Sequence, residues 1–397
     1  MKKILNLLFV CTALLLFIAC GDDIIEPEAT CEEQIEALQL NEYKILGSHN
    51  SYRIKTPDHI MAFMKSQSEL LPEDFDPDSW DYDHSTIINQ FDNFDIRSIE
   101  LDLYRDPSGG LFYNRMGNAL MGLDFESHEP KLKEPGLKVL HFPDFDYETH
   151  YLTFKDALND VKAWSESHPD HLPITILVEA KEDNPDAMLP GFGLTKTLPF
   201  SDNAVEEIEE EIDDVFAGDM DRIIRPDDVR GSYSTLRSAV TSGAWPTIKK
   251  SKGKLIFVLM GTEDINNNYV NGHSSLRNRN MFIFAEPEQE EAAFLKIDNP
   301  VDNFNDIQDY VNQGFIVRTQ ADSDTYEARS GDTYRREQAF ASGAQIICTD
   351  YYQSDVRAGS SAEWSNYSVD FPNNQMALIN GLVAPTIDDG CEIAEFR

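Results

Sequence analysis

Four stretches of this chain hold residues able to do proton-transfer or cation-binding chemistry. His49 and Asn50 are adjacent in Gly47-Ser48-His49-Asn50-Ser51-Tyr52. Glu100 and Asp102 stand two apart in an otherwise apolar run, His141 precedes Phe142-Pro143-Asp144, and Glu179 sits in Val178-Glu179-Ala180-Lys181. Alternate residues of a strand share a face, so Ser98, Glu100, Asp102 and Tyr104 point one way and Ile99, Leu101 and Leu103 the other. Two carboxylates facing a packed interior are costly unless something cationic joins them. Arg97 or Arg105 would serve as ion-pair partners. Glu179, on the matching face of its own strand with Leu177, adds a third acid. Three carboxylates and the Asn50 amide make an all-oxygen set suited to a hard cation, Ca2+ before Mg2+. Histidines on either side suit acid/base work on a phosphodiester. One removes the proton of an attacking hydroxyl and the other protonates the departing oxygen. A metal between them would lower the hydroxyl pKa and offset the phosphorane charge.

Such residues must be brought to one place by the elements that carry them. Eight short runs rich in Ile, Val, Leu and Phe read as buried parallel strands: 43–48, 97–104, 137–141, 174–180, 254–260, 281–285, 315–318 and 344–349. Helical patterns lie between them. Phe154, Ala157, Leu158, Val161 and Trp164 recur at helical spacing behind Thr153, a candidate N-cap. Val205, Ile208, Ile212 and Val215 form one side of a very acidic helix, and 333–342 leads into Gly343. The alternation predicts a (β/α)8 TIM barrel over 39–359, with an open doubly wound sheet as the alternative. Residues 360–397 read as an extension packed on the barrel exterior. A barrel places chemistry at the C-terminal ends of its strands, where His49/Asn50, Glu100/Asp102, His141 and Glu179 all fall.

The 397-residue chain has 33 Lys+Arg against 71 Asp+Glu, a formal charge of −38. Nucleic-acid binding is excluded on that balance, since phosphate backbones need a basic face. Met1-Lys2-Lys3 followed by apolar residues 4–19 reads as a secretory signal over 1–19. Leu16-Phe17-Ile18-Ala19-Cys20 resembles a bacterial lipoprotein cleavage box. Cys20 would become the lipid-bearing N-terminus of a tether over 20–38, and the acidic Gly21-Asp22-Asp23 favours export to the outer surface. Of the remaining cysteines, Cys348 lies in an apolar run and reads as a buried free thiol. Cys31 and Cys391 flank the domain, placed either to staple its ends or to stay apart. His168 and His171, beside Pro169 and Pro173, read as solvent-facing loop residues.

The combination of Leu46–Tyr52, Ile99–Tyr104, His141 with Pro143-Asp144, Pro173–Lys181, Arg318–Asp324 and Ala344–Tyr351 resembles the Ca2+-dependent phosphoinositide-specific phospholipase C family in its compact bacterial form. The resemblance implies His49 as general base toward the inositol 2-hydroxyl and His141 as the acid that releases diacylglycerol. It implies Asn50, Glu100, Asp102 and Glu179 as calcium ligands, and a 1,2-cyclic inositol phosphate that the same histidines open with water. A calcium-independent branch carries an arginine where the metal sits; the carboxylates here favour the metal-dependent branch. Candidate substrate contacts are Lys181, Lys254, Arg318, Asp322 and Tyr351. Residues 106–135 form a long connection that reads as a lid or as loop decoration. Two rivals stand beside this reading. A glycerophosphodiester phosphodiesterase shares barrel, metal and histidine logic, but usually opens with His-Arg-Gly where this chain has His49-Asn50-Ser51. The other is a surface lipoprotein that binds inositol lipids or glycans without turnover.

Overall fold

The structure is a computed structural model that describes residues 29–67, 69, 71 and 75–393. The basic-then-apolar leader and Cys20 lie outside the described residues. Ten strands are present among them: β1 Tyr43–Ser48, β2 Ser98–Tyr104, β3 Lys138–Val139, β4 Ile174–Ala180, β5 Leu255–Met260, β6 Met281–Ile283, β7 Phe294–Lys296, β8 Ile316–Gln320, β9 Ile346–Thr349 and β10 Ala377–Ile379. The sheet runs β6-β5-β4-β2-β1-β9-β8-β7, with every neighbour in that order parallel. A parallel bridge between Phe284 and Phe294 brings its two ends together. The result is a nearly closed (β/α)8 barrel, with almost every strand residue buried because helices cover the outside.

Seven of the eight expected runs are barrel strands, and one is not. The run at 137–141 yields only the two-residue β3, which pairs antiparallel with β2 through Leu103↔Val139 and Tyr104↔Lys138. It lies over the end of β2 while β4 takes the neighbouring barrel position. The missing strand is β7, Phe294-Leu295-Lys296, three residues behind an acidic stretch and too short for its apolar pattern to register. Being parallel to β8 through three register pairs, it completes the barrel wall.

Local chemistry sets the elements that carry the site. The helix Phe154–Ser167 starts where the Thr153 side chain accepts from the Asp156 amide at 3.1 Å. Gly47 lets β1 approach its neighbours: a Cβ there would sit 2.9 Å from Ser98 Cβ and 3.0 Å from Cys348 Sγ. Parallel register puts Glu100 opposite Leu177 and Asp102 opposite Glu179. The acids of β2 and β4 therefore share one side of the sheet, Asp102 and Glu179 at one height and Glu100 two residues below.

Beyond the barrel, β10 pairs antiparallel with the first half of β1, and a Cys31–Cys391 disulfide joins the two ends of the described chain. Cys348 is a buried free thiol. His171 is not solvent-facing as expected; it is fully buried, donating from Nδ1 to the Leu172 carbonyl and accepting at Nε2 from Ser165. Among the described residues no helix is long and apolar enough to cross a membrane.

Candidate active site and metal centre

At the C-terminal ends of β2 and β4, one carboxylate oxygen from each of Glu100, Asp102 and Glu179 lies within 4.8 Å of the others. Neither Asp102 oxygen receives a hydrogen bond, although the residue is fully buried. Burial first, and then the Glu179 charge, push its pKa well above the usual carboxylate range. Asn50 follows β1 with φ of 49°, in the left-handed region, which turns its amide away from the strand path. Its Nδ2 donates to the Tyr82 hydroxyl at 3.1 Å, while its buried Oδ1 is unpartnered. Three free acceptor oxygens on two buried residues beside further acids are what a hard cation would satisfy. The donor set fits calcium.

The cations that reach these acids are Lys181 and Arg318. Lys181 Nζ lies 3.7 Å from Asp102, 3.7 Å from Glu179 and 3.0 Å from Asp183. Arg318 is buried inside the barrel, donating to Glu100 at 2.9 Å and paired with Asp298. Arg105, one of the partners considered from sequence, instead pairs with Glu207.

Each catalytic candidate imidazole is held through Nδ1 by a buried aspartate. His49 Nδ1 lies 2.9 Å from Asp350, leaving Nε2 3.6 Å from Glu100. Burial works against protonation of His49, but the Asp350 and Glu100 carboxylates outweigh it and raise the imidazole to about 9. His141 Nδ1 lies 2.7 Å from Asp146. Burial pulls His141 below the ordinary histidine range, and the Asp146 carboxylate offsets this only in part. Asp146 in turn accepts from Arg53 Nε at 2.9 Å and Thr56 Oγ1 at 2.6 Å, all three fully buried.

Asp350 and Asp146 were not among the residues singled out from sequence. Strand alignment carried a signal for the first: Ser48 pairs with Thr349, so the next residues, His49 and Asp350, emerge side by side. Asp146 had no such signal. It reaches His141 because a tight turn pairs Phe142 with Asp146, with Asp144 at φ of 68°.

The expected substrate contacts separate. Lys181 lies at the mouth. Lys254 does not: it precedes β5, at the opposite end of the barrel, about 20 Å along the strand from Met260. Arg318, 1% exposed, is a partner of Glu100 below the mouth. Asp322 sits behind Asp350, accepting from its amide at 2.8 Å and bonded to Thr349, and burial with the Asp350 charge raises it to about 7. Tyr351, 3% exposed, packs against Tyr82 and Trp364 instead of a ligand space. Beside His141 and Lys181 opens a largely apolar groove of about 540 Å³.

Paired imidazoles beside an oxygen-lined cation site, on the open end of a parallel barrel, are the equipment of a metal-dependent enzyme that cleaves phosphodiesters. The family model for Ca2+-dependent phosphoinositide phospholipase C matches residues 38–381, and the chain belongs to that family. Its metal is thus calcium, and Glu100, Asp102 and Glu179 form a group able to hold it. Similar solved structures include the calcium-dependent phosphoinositol-specific phospholipase C from Pseudomonas sp in apo form, at 15% identity over 84% of this chain and 97% of that one, TM-score 0.49. The myoinositol complex from Pseudomonas sp is 17% identical over 83% and 93%, TM-score 0.49. A Ca2+-dependent phosphatidylinositol-specific phospholipase C from Streptomyces antibioticus is 16% identical over 80% and 96%, TM-score 0.46. Among curated protein sequences none matches this chain.

Proposed function

We propose that this enzyme cleaves phosphatidylinositol-type lipids to diacylglycerol and a 1,2-cyclic inositol phosphate, with His49 as base and His141 as acid. The carrying observation is the pair of imidazoles, each anchored through Nδ1 by a buried aspartate, at the mouth that holds the acid cluster. Anchoring at Nδ1 fixes ring orientation and leaves each Nε2 for proton transfer.

In the first step His49 Nε2 takes the proton of the inositol 2-hydroxyl as that oxygen bonds to phosphorus. The bond from phosphorus to the glycerol oxygen breaks, and His141 delivers a proton to that oxygen. Calcium bound beside Glu100 would offset part of the carboxylate charge that keeps a proton on His49, and Asp146 stabilises the imidazolium form of His141 that donates to the leaving alkoxide. In the second step the roles reverse: His141 takes a proton from water as the water oxygen bonds to phosphorus, and His49 returns one to the inositol 2-oxygen as its bond to phosphorus breaks. Calcium held by Asn50, Glu100, Asp102 and Glu179 supplies positive charge that offsets the acids and the phosphorane oxygens. Lys181, beside that cluster, is a cation at the mouth placed for phosphate oxygens.

The test is phosphorus NMR of the protein with phosphatidylinositol, in calcium and then in excess chelator. A cyclic phosphate signal that needs calcium supports the reading. Turnover to glycerophosphate products alone, or full activity in chelator, sinks it.

We also propose that the chain is exported and held on the outer membrane by a lipid on Cys20, on the strength of the leader and the box around that cysteine. Metabolic labelling with a fatty acid should mark the natural chain and not a Cys20→Ala variant.

A further inference from the structure

We propose that the apolar groove beside His141 is an acyl-chain subsite, receiving the hydrocarbon of the leaving group. The inference rests on reading His141 as the acid. The groove holds about 540 Å³, a size suited to a ligand and not to scattered solvent. Phe63 and Met64 of the helix Asp58–Ser66 line one side, and Met188, Leu189 and Phe192 the other. Phe145 belongs to the turn that also carries Asp146.

Three observations fix the occupant. First, His141 and Lys181 line both the groove and the catalytic mouth, so the oxygen that His141 protonates lies at the groove's polar end. Whatever hangs from that oxygen has the groove before it. The apolar surface reaches the imidazole itself, with Trp80 packed edge-on at 5.3 Å. Second, Lys181, the one Lys or Arg among the described residues that line the groove, stands at its mouth beside the acid cluster, so the wall beyond it offers an anion no positive charge. Third, Phe192 and Met188 are 54% and 45% exposed, large apolar side chains left in water. A bare glycerol would leave them so; a hydrocarbon would cover them.

The test uses soluble phosphatidylinositols from dibutanoyl to diheptanoyl, each below its micellar concentration, together with glycerophosphoinositol. Chain burial is expected to raise kcat/KM by up to about fourfold per methylene until the groove is filled, following the transfer free energy of a CH2 group. Met188→Asp and Phe192→Asp should flatten that series. They should lower the ratio of lipid cleavage to opening of 1,2-cyclic inositol phosphate at least tenfold, because the cyclic compound uses the same histidines and has no chain. A flat series in the natural protein overturns the subsite. So does a loss seen only on vesicles, which would make these side chains a membrane contact. Failure to form cyclic phosphate from any member would instead overturn the reading of the reaction.

Discussion

Replacing Asp146 by Asn should cost both stability and turnover, and the two losses can be separated. Asp146 is fully buried, accepting one bond from Nε of the equally buried Arg53, whose Nη2 lies 2.7 Å away as an ion-pair partner, and one each from Thr56 and His141. Burial alone would raise its pKa, but Arg53 and His141 together hold it below the usual range, so the folded site contains the carboxylate. Asn keeps the shape and removes the charge, stranding a guanidinium in the interior. Breaking a buried pair from one side costs about 3–5 kcal/mol, a large share of the roughly 5–15 kcal/mol that holds a typical domain. Urea unfolding should show that loss. Turnover should fall on the order of 10³–10⁴-fold, as when a catalytic imidazole loses the carboxylate that fixes its tautomer. The double variant Arg53→Met, Asp146→Leu removes both charges. It should regain part of the stability, because apolar groups can replace a buried pair. The recovery is incomplete because the Trp80 and Tyr82 carbonyls lose the donors Arg53 gave them. Activity should stay lost, His141 having no acceptor. A single-variant cost under about 1 kcal/mol, or a double variant that regains turnover with stability, would refute this account of the site.

Asp102→Asn should raise the thermal stability of the calcium-free protein, because it removes an unsatisfied buried carboxylate beside Glu179, and should abolish most of the stabilisation that added calcium gives. Calorimetry with and without calcium reads both signs. His171 is held neutral at about 4 by burial, against an ordinary value of 6.5. Between those values the unfolded chain binds more protons, so stability rises with pH from 4 to 6.5, by about 3 kcal/mol from this residue. A His171→Gln variant should show a flatter urea-stability profile in that window and match the parent slope above it. The Cys31–Cys391 bond spans 360 residues, and its reduction should cost about 5 kcal/mol, the top of the range for such bonds. A Cys31→Ser, Cys391→Ser protein should unfold at the same urea concentration with or without reductant, while the parent should not.

The chain by itself determined the barrel and the chemistry placed on it. Period-two alternation decided that Glu100 and Asp102 share a face, and apolar runs bounded by Gly, Pro and Asp decided seven of the eight barrel strands, because both signals are local. Strand ends likewise collected His49, Asn50 and Glu179 at one mouth, whereas His141 reaches it from the short β3 that lies over the end of β2. What lay beyond reach depended on contacts between distant segments. The run 137–141 is as apolar as a barrel strand, yet only the sheet shows that β4 takes the place beside β2, and β7 becomes a strand because β8 pairs with it. Lys254 and Arg318 looked equivalent to Lys181 as free cations, and the register decided otherwise by setting one at the far end of the barrel and the other against Glu100. Asp350 and Asp146 took their roles from a parallel pair of strands and a tight turn. The groove is made by segments from Phe63 to Phe192 that meet only after the barrel has formed. An ion pair or a cavity is a property of distances between such segments, and composition does not carry it.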